Sequence, residues 1–594
     1  MGGSRLALPN LSGVLNKIRL ETWFRKGTLF FYLCAVVMVG SLTLGGGAGR
    51  GLLSDAILQL LAIPLLLVCL WRLFEVSLTR QMRLALWFCV AIAALPLLQL
   101  IPLPPWLWTA LPNRQPSVEA FDIIGSAVPW MPISVSPKGT WLSALSLIPP
   151  LAVFLSTLLL SYPERRWLSL VVLAVGVLSV FIGFLQVAQG GDSPFRFFEF
   201  SNRTEAVGFF ANRNHFAALI YCLLVFVLGW IVYYGSAAVR IPPSQKGKQK
   251  EREFEYDIRL IVALIASFTV LVILLAGELM ARSRAGLGLT IIALFGVFAL
   301  GLANRSAGFG AMLVNKLLVG AIVLVGIFSL QFAFYRVLER ISDPLSGDRV
   351  VMASTTIEAA RAYMPLGSGL GTFVPVYAMF EKPEDVQETY VNRAHNEILE
   401  VWLETGVLGL ALTVLFVIWL VRRSVEVWRN APAPGASQLD WSLIRAATIV
   451  PTLLLAHSLV EFPLRTGAIM AVMAFACALL IESPVGAEAT EEAVFQVPGR
   501  ARHGAKDGLE PVLSFAKRAS KPNPQVKTGL KPVLPSARPA PNLQVKTSVA
   551  PSHPSSQRWG ADIEWPKEWS KAANSPSPEG TGAPPKEQGE WPAD

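Results

Sequence analysis

His395 is the residue of this chain best suited to moving a proton. It stands in Asn392-Arg-Ala-His395-Asn396-Glu, at the entry to a long apolar segment. Unperturbed imidazole titrates at about pH 6.5, so at neutral pH it accepts a proton from a hydroxyl without first losing one. A loop histidine serves equally well as a hydrogen-bonded structural residue, and only its surroundings separate the two readings. Arginines are the second chemical signal. Arg203 and Arg213 precede one apolar run and Arg282 and Arg284 precede another. Both pairs fall on connections that the charge pattern otherwise marks as non-cytoplasmic, where arginine is disfavoured. A planar guanidinium binds phosphate oxygens in pairs, each charge-assisted hydrogen bond contributing about 1.5–3 kcal/mol. The segment Ala281-Arg-Ser-Arg-Ala-Gly opens an apolar helix, whose first free amides would add to an anion site. Headgroup snorkelling, or an ion pair with Glu278, is the alternative.

Further ionisable residues are spaced for helices. Glu397, Glu400 and Glu404 share faces, so an inward-facing acid can pair with an arginine. His457, Glu461 and Arg465 recur at four-residue intervals and are expected on one helical face, His457 and Glu461 in structural pairing and Arg465 as a phosphate contact. In Pro365-Leu-Gly-Ser-Gly-Leu-Gly-Thr-Phe, three glycines in five residues allow tight turns or close approach to a ligand. No Gly-Lys-Ser/Thr follows, which excludes a Walker loop. His503 and His553 lie in a low-complexity tail and receive no role.

The elements that must position these residues are membrane helices. Of 594 residues, 53% are hydrophobic and 15% charged, against roughly 25% charged in soluble domains, which excludes a soluble single-core protein. Apolar runs near 28–46, 52–71, 84–103, 141–161, 167–187, 216–234, 260–277, 285–303, 317–335, 397–420, 443–462 and 466–482 predict about twelve transmembrane helices. Prolines within them, such as Pro149 and Pro150, are tolerated as kinks. The net charge of +10 is dispersed as short clusters between these runs, an orientation signal and not a nucleic-acid patch. Arg80 and Arg83, Arg165 and Arg166, the stretch 240–252, Arg305, and Arg422 and Arg423 fall on the side of the N-terminus, which places both termini in the cytoplasm. Long segments of opposite sidedness are 104–140 and 336–396, the second read as a large periplasmic loop domain. The five cysteines lie inside apolar runs as small hydrophobes.

The expected organisation is an all-α integral membrane protein. It comprises a cytoplasmic N-terminus 1–27, a polytopic catalytic domain 28–483, and a disordered Pro-rich cytoplasmic tail 484–594, which holds 17 of the 42 prolines. The tail contains a degenerate duplication, Gly508-Leu-Glu-Pro-Val-Leu returning as Gly529-Leu-Lys-Pro-Val-Leu. Trp559, Trp565, Trp569 and Trp591 in it are either a docking motif for a protein partner or chance survivors in a solvated tail.

With these pieces in place, the chain resembles the O-antigen ligase and O-antigen polymerase superfamily of bacterial inner-membrane proteins, over roughly 28–483. The resemblance rests on His395-Asn396 followed by Gly406-x-x-Gly409, and on Ser283-Arg284-Ala285-Gly286. Gly208-Phe-Phe-Ala-Asn-Arg213-Asn-His215 and Gly367-Ser-Gly-Leu-Gly-Thr-Phe are typical but less specific. It implies a metal-independent glycosyltransferase, without cofactor, that moves a glycan from undecaprenyl diphosphate to an acceptor hydroxyl on the periplasmic face. For ligases the acceptor is a sugar of lipid A-core. Carried onto this sequence, His395 is the general base, and Arg284 and Arg213 hold the leaving diphosphate. Arg282, Arg203, Arg349 and Arg393 are further candidates, with Asn396, Glu461 and Arg465 beside them. A polymerase of the same superfamily would use much the same site with another lipid-linked repeat unit as acceptor. A secondary transporter for a small anion would instead require inverted repeats and interrupted helices at mid-membrane, whereas the charges here gather at span ends and in one loop.

Overall fold

The computed structural model describes residues 28–47, 49, 53–199, 201–237, 239–240, 255–256, 258–303, 348–386, 390–430, 432 and 435–484. The expected span 317–335, residues 241–252 of the basic stretch, Arg305 and the tail beyond 484 lie outside the described residues, as do 1–27 and 336–347. Eight described segments are long and apolar enough to cross a membrane, and three shorter apolar helices fall on three more of the expected runs.

The helices are α1 (Thr28–Leu44), α2 (Leu53–Leu73), α3 (Arg80–Gln99), the short α4 (Pro105–Trp108) and α5 (Gln115–Ile123), α6 (Pro137–Leu145), α7 (Ile148–Leu159) and α8 (Tyr162–Gln189). They continue as α9 (Arg213–Ala237), α10 (Ile258–Ala281), α11 (Arg284–Ala303), α12 (Asp348–Ala362), α13 (Phe373–Phe380), α14 (Glu397–Arg429), α15 (Gln438–His457) and α16 (Gly467–Leu479). The described strands are two antiparallel ribbons of two residues per strand, β1 (Pro102–Leu103) with β2 (Met131–Pro132) and β3 (Val239–Arg240) with β4 (Glu255–Tyr256).

Helix α9 is the axis of the bundle. It is apolar on every side, and from Phe216 to Leu228 its side chains are buried throughout, as expected of a helix enclosed by others. It packs on α10, α11 and α15. Helix α3 shows the opposite arrangement, with Leu84, Trp87 and Val90 exposed as a lipid-facing surface would be. The run expected at 141–161 is divided into α6 and α7. Pro149 and Pro150 sit in the first turn of α7, where a missing amide hydrogen costs nothing. Helix α14 continues past the apolar run to Arg429, carrying Arg422 and Arg423 on its last turns.

The glycine-rich segment is explained by a break in α14. Gly406 has φ 57° and ψ −143°, which interrupts the helical ladder and leaves carbonyls to be satisfied. The segment 365–371 fills that gap. Ser368 N–H donates to the Leu403 carbonyl (2.9 Å), Gly369 N–H to that of Glu404 (2.9 Å), and Val407 N–H to Pro365 (2.9 Å). A Cβ on Gly367 would lie 2.6 Å from the Glu404 backbone, and one on Gly406 would lie 2.0 Å from the Pro365 oxygen. Backbone meets backbone here, which accounts for glycines on both sides. Gln99 at the end of α3 clamps the contact, donating to the Glu404 carbonyl and accepting from Leu370 N–H. The described part of the loop domain rests on α14 through Ala359, Tyr363, Phe373, Val376, Tyr377 and Leu403.

Candidate active site

One end of the bundle collects the starts of α9, α11, α12 and α14 and the chain leaving α15, and Glu461 lies where they meet. The four-residue spacing of His457, Glu461 and Arg465 does not continue as one helix. Helix α15 ends at His457, Glu461 follows in the closing turn, Phe462 leaves helical geometry, and Arg465 sits in a separate 3-10 turn, Pro463–Arg465. Pro463 enforces the change, because it biases Phe462 out of the helical region. The Ser458 carbonyl is freed to accept from Glu397 N–H (2.8 Å). The turn is thereby fastened to the start of α14, which Asn396 caps by accepting from Ile398 N–H and Leu399 N–H (3.0 and 3.1 Å).

His395 precedes that cap with φ 48°, in the left-handed region that few non-glycine residues adopt. This conformation aims the imidazole at Glu461, with Nδ1 2.7 Å from Oε1. The histidine side chain is 25% exposed and the carboxylate 2%. Burial alone would raise the Glu461 carboxyl. The hydrogen bond and charge of His395, with His215 and Arg349, outweigh it and hold Glu461 down at about 2. An ionised carboxylate only accepts, so Nδ1 is the donor of this contact, which leaves Nε2 as the ring nitrogen turned away from Glu461. The pair is therefore a partly exposed imidazole held in one orientation by a buried carboxylate. Phe462 packs edge-on against both His395 and His215, at ring-centroid distances of 5.1 and 4.8 Å.

The second Glu461 oxygen accepts from the Asn214 amide, and the Arg349 guanidinium is 3.8 Å from it. The Ser283 hydroxyl donates to Asn214 Oδ1 (2.9 Å). Arg213 begins α9, its side chain paired with Glu205 and its amide bound to Asn202. Arg282 and Arg284 flank Ser283 at the start of α11, and both are exposed. Arg282 has φ 50°. Arg203 is 70% exposed, 3.8 Å from the fully exposed Asp192, in a surface pair of little energetic weight.

Arg393 and Arg465 are placed differently. Both are largely buried beside α14, Arg393 on Glu400 (2.6 Å) and Arg465 on Glu404 (2.9 Å) and Glu400 (3.5 Å). Burial would lower the Arg465 pKa, but Glu400, Glu404 and Glu397 raise it above its ordinary value. Breaking one partner of such a buried network costs about 3–5 kcal/mol, so these arginines brace the platform under His395. His457 bonds through Nδ1 to the Tyr221 hydroxyl (3.0 Å), below Glu461 in the bundle.

Asn214 and Ser283 are the members of this cluster that a search for charge overlooks. Each sits beside an arginine inside a motif noticed for that arginine, and only their spatial convergence on one carboxylate gives them a role. Among the described residues, no three or more His, Cys, Asp or Glu side chains gather in a geometry able to hold a metal ion. A cavity of about 370 Å³ runs between α3, α7, α14 and α16. Its walls are almost wholly apolar, from Trp419 and Cys477 at one end to Glu397 and Ser458 beside the site.

Residues 269–414 match the family model described as O-antigen ligase. The matched segment begins in α10 and ends within α14, and it contains Ser283, Arg284, Arg349 and His395. Arg213, Asn214 and Glu461 lie outside it. The match supports placing the chain in the O-antigen ligase superfamily. No curated protein matches the chain.

Proposed function

On that family match, we propose that this membrane protein is a glycosyltransferase that moves a glycan from a polyprenyl diphosphate to an acceptor sugar hydroxyl. The observation that carries the reading is the His395–Glu461 pair with Arg349, Asn214 and the arginine-bearing start of α11 around it. His395 Nε2 takes the hydroxyl proton as the acceptor oxygen bonds to the anomeric carbon. The bond from that carbon to the phosphate oxygen breaks, and the carrier diphosphate leaves with its electrons. Arg284 and Arg213, with Arg282, Arg349 and Arg203 as auxiliaries, neutralise the charge that grows on it. Fixed positive groups in a site partly closed to water do this without reorganising during the reaction. The step needs no divalent ion in this scheme. The apolar cavity reaching Glu397 and Ser458 takes the lipid chain.

The site faces the periplasm of a bacterial inner membrane in this reading, with undecaprenyl diphosphate as carrier and lipid A-core as acceptor. Reconstitution of the purified chain in vesicles tests it. With an undecaprenyl-diphosphate-linked oligosaccharide and a lipid A-core acceptor, glycan should appear on the lipid A-core. Elongation of the carrier-linked chain alone would instead make the protein a polymerase, and no transfer to either would refute the reading.

A further inference from the structure

The contacts around Glu461 form one directed line. Gly286 N–H donates to the Ser283 hydroxyl (3.1 Å), that hydroxyl donates to Asn214 Oδ1 (2.9 Å), the Asn214 amide donates to Glu461 Oε2, and Glu461 Oε1 accepts from His395 Nδ1 (2.7 Å). Each hydrogen has one place to go. The serine hydroxyl receives from the α11 amide, so it must give its own proton to Asn214. That donation turns the Asn214 oxygen towards α11 and its NH2 group towards the carboxylate. An amide is the side chain that offers an acceptor and a donor on one planar carbon. The close approach of α9 and α11 is built in as well. A Cβ on Gly286 would lie 2.6 Å from Ala217 Cβ and 2.4 Å from Glu278 Oε1. Asn214 is fixed from its other side by its backbone N–H on Asn212 Oδ1 (2.8 Å).

We infer that Asn214 and Ser283 are positioning residues of the transfer reaction, tying the start of α11, where Arg284 stands, to the orientation of the His395–Glu461 pair. Neither touches the reacting atoms. Ser283 sets Asn214, Asn214 sets the plane of the Glu461 carboxylate, and that plane sets the imidazole. The line also makes grip and base interdependent, because a shift of the first turn of α11 as Arg284 takes up phosphate moves the same hydroxyl that orients Asn214. This rests on the function proposed above.

The test uses full-length protein in vesicles with the lipid-linked donor. Asn214→Asp keeps the shape but sets a second carboxylate against Glu461, and two such groups at contact retain a proton between them. The acidic limb of kcat/KM against pH should move up by about one unit, and kcat should fall at least about tenfold. Asn214→Ala should lower kcat about tenfold, in line with one lost hydrogen bond to a charged group, and Ser283→Ala about fivefold, in line with one lost bond between neutral groups, with the donor KM unchanged in both. Unaltered kcat and an unmoved limb in Asn214→Asp would overturn the inference. So would losses in the alanine variants that appear wholly in KM. His395→Ala, measured alongside, separates the two levels. If it is inactive while the Asn214 variants behave as wild type, the positioning line alone fails. If it keeps the full rate, the proposed function falls and the positioning line falls with it.

Discussion

Replacing Glu461 by glutamine gives the most quantitative check on the base. The carboxyl is held at about 2 against an ordinary 4.5, a difference of about 2.5 units, or about 3 kcal/mol at 1.36 kcal/mol per unit. That energy is a net one: burial raises the carboxyl, and the His395 hydrogen bond with the charges of His395, His215 and Arg349 more than offsets it. The carboxylate sits 2.7 Å from the imidazole that is to receive the proton, and a hydrogen bond to such a charged group contributes about 1.5–3 kcal/mol. Glu461→Gln preserves the shape and can still accept from Nδ1, but it carries no charge, and its NH2 group then faces the Asn214 amide. The expected result is a fall in kcat of about 100-fold with the donor KM unchanged, since the lost interaction strengthens only as the proton moves. Initial rates of glycan transfer, from reconstituted protein at several donor concentrations, read both constants. A change in kcat below about threefold, in protein shown to be folded, would refute the reasoning.

The same carboxylate governs acid stability. Its folded pKa lies below its unfolded one, so its contribution is complete above about pH 4.5 and fades as pH falls towards about 2. Thermal melting in detergent should therefore decline less steeply over pH 5 to 3 in Glu461→Gln than in wild type, and parallel curves would contradict this. At the start of α11, Arg284→Lys should retain more transfer than Arg284→Ala, because it keeps the charge while losing the paired hydrogen bonds; equal wild-type rates in both would show a structural role. In the broken helix, Gly406→Ala should lower the melting temperature by about 5 °C or more. Its Cβ would lie 2.0 Å from the Pro365 oxygen, at φ 57°, and an unchanged melting curve would disprove the backbone contact.

Much of the membrane architecture was legible because twenty apolar residues in succession have few other uses. Eleven of the runs coincide with described helices or parts of them. The arginines at 213 and 282–284 were legible as exceptions to the charge pattern, and His395 as a titratable group at a helix entry. What stayed hidden depends on backbone events that a periodic reading cannot register. The spacing of His457, Glu461 and Arg465 is helical, yet the chain leaves the helix after His457, and the turn this creates carries Glu461 to His395, 66 positions away. The three glycines of 367–371 looked equally suited to a ligand. Their partner is the gap opened by Gly406, which only the fold reveals. Arg393 and Arg465 resembled free guanidiniums until Glu400 and Glu404 were seen facing them. Asn214 and Ser283 carry no charge to stand out against an apolar background.

The central claim is that His395 takes the acceptor proton, and the transfer rate of His395→Ala against wild type tests it most directly. Both proteins are to be purified, shown to be equally folded by melting and size-exclusion profile, and given the same polyprenyl-diphosphate-linked donor and acceptor. The account predicts transfer by wild type and a loss of at least about 100-fold in the variant, with donor binding retained. A variant that transfers glycan at the wild-type rate would contradict it.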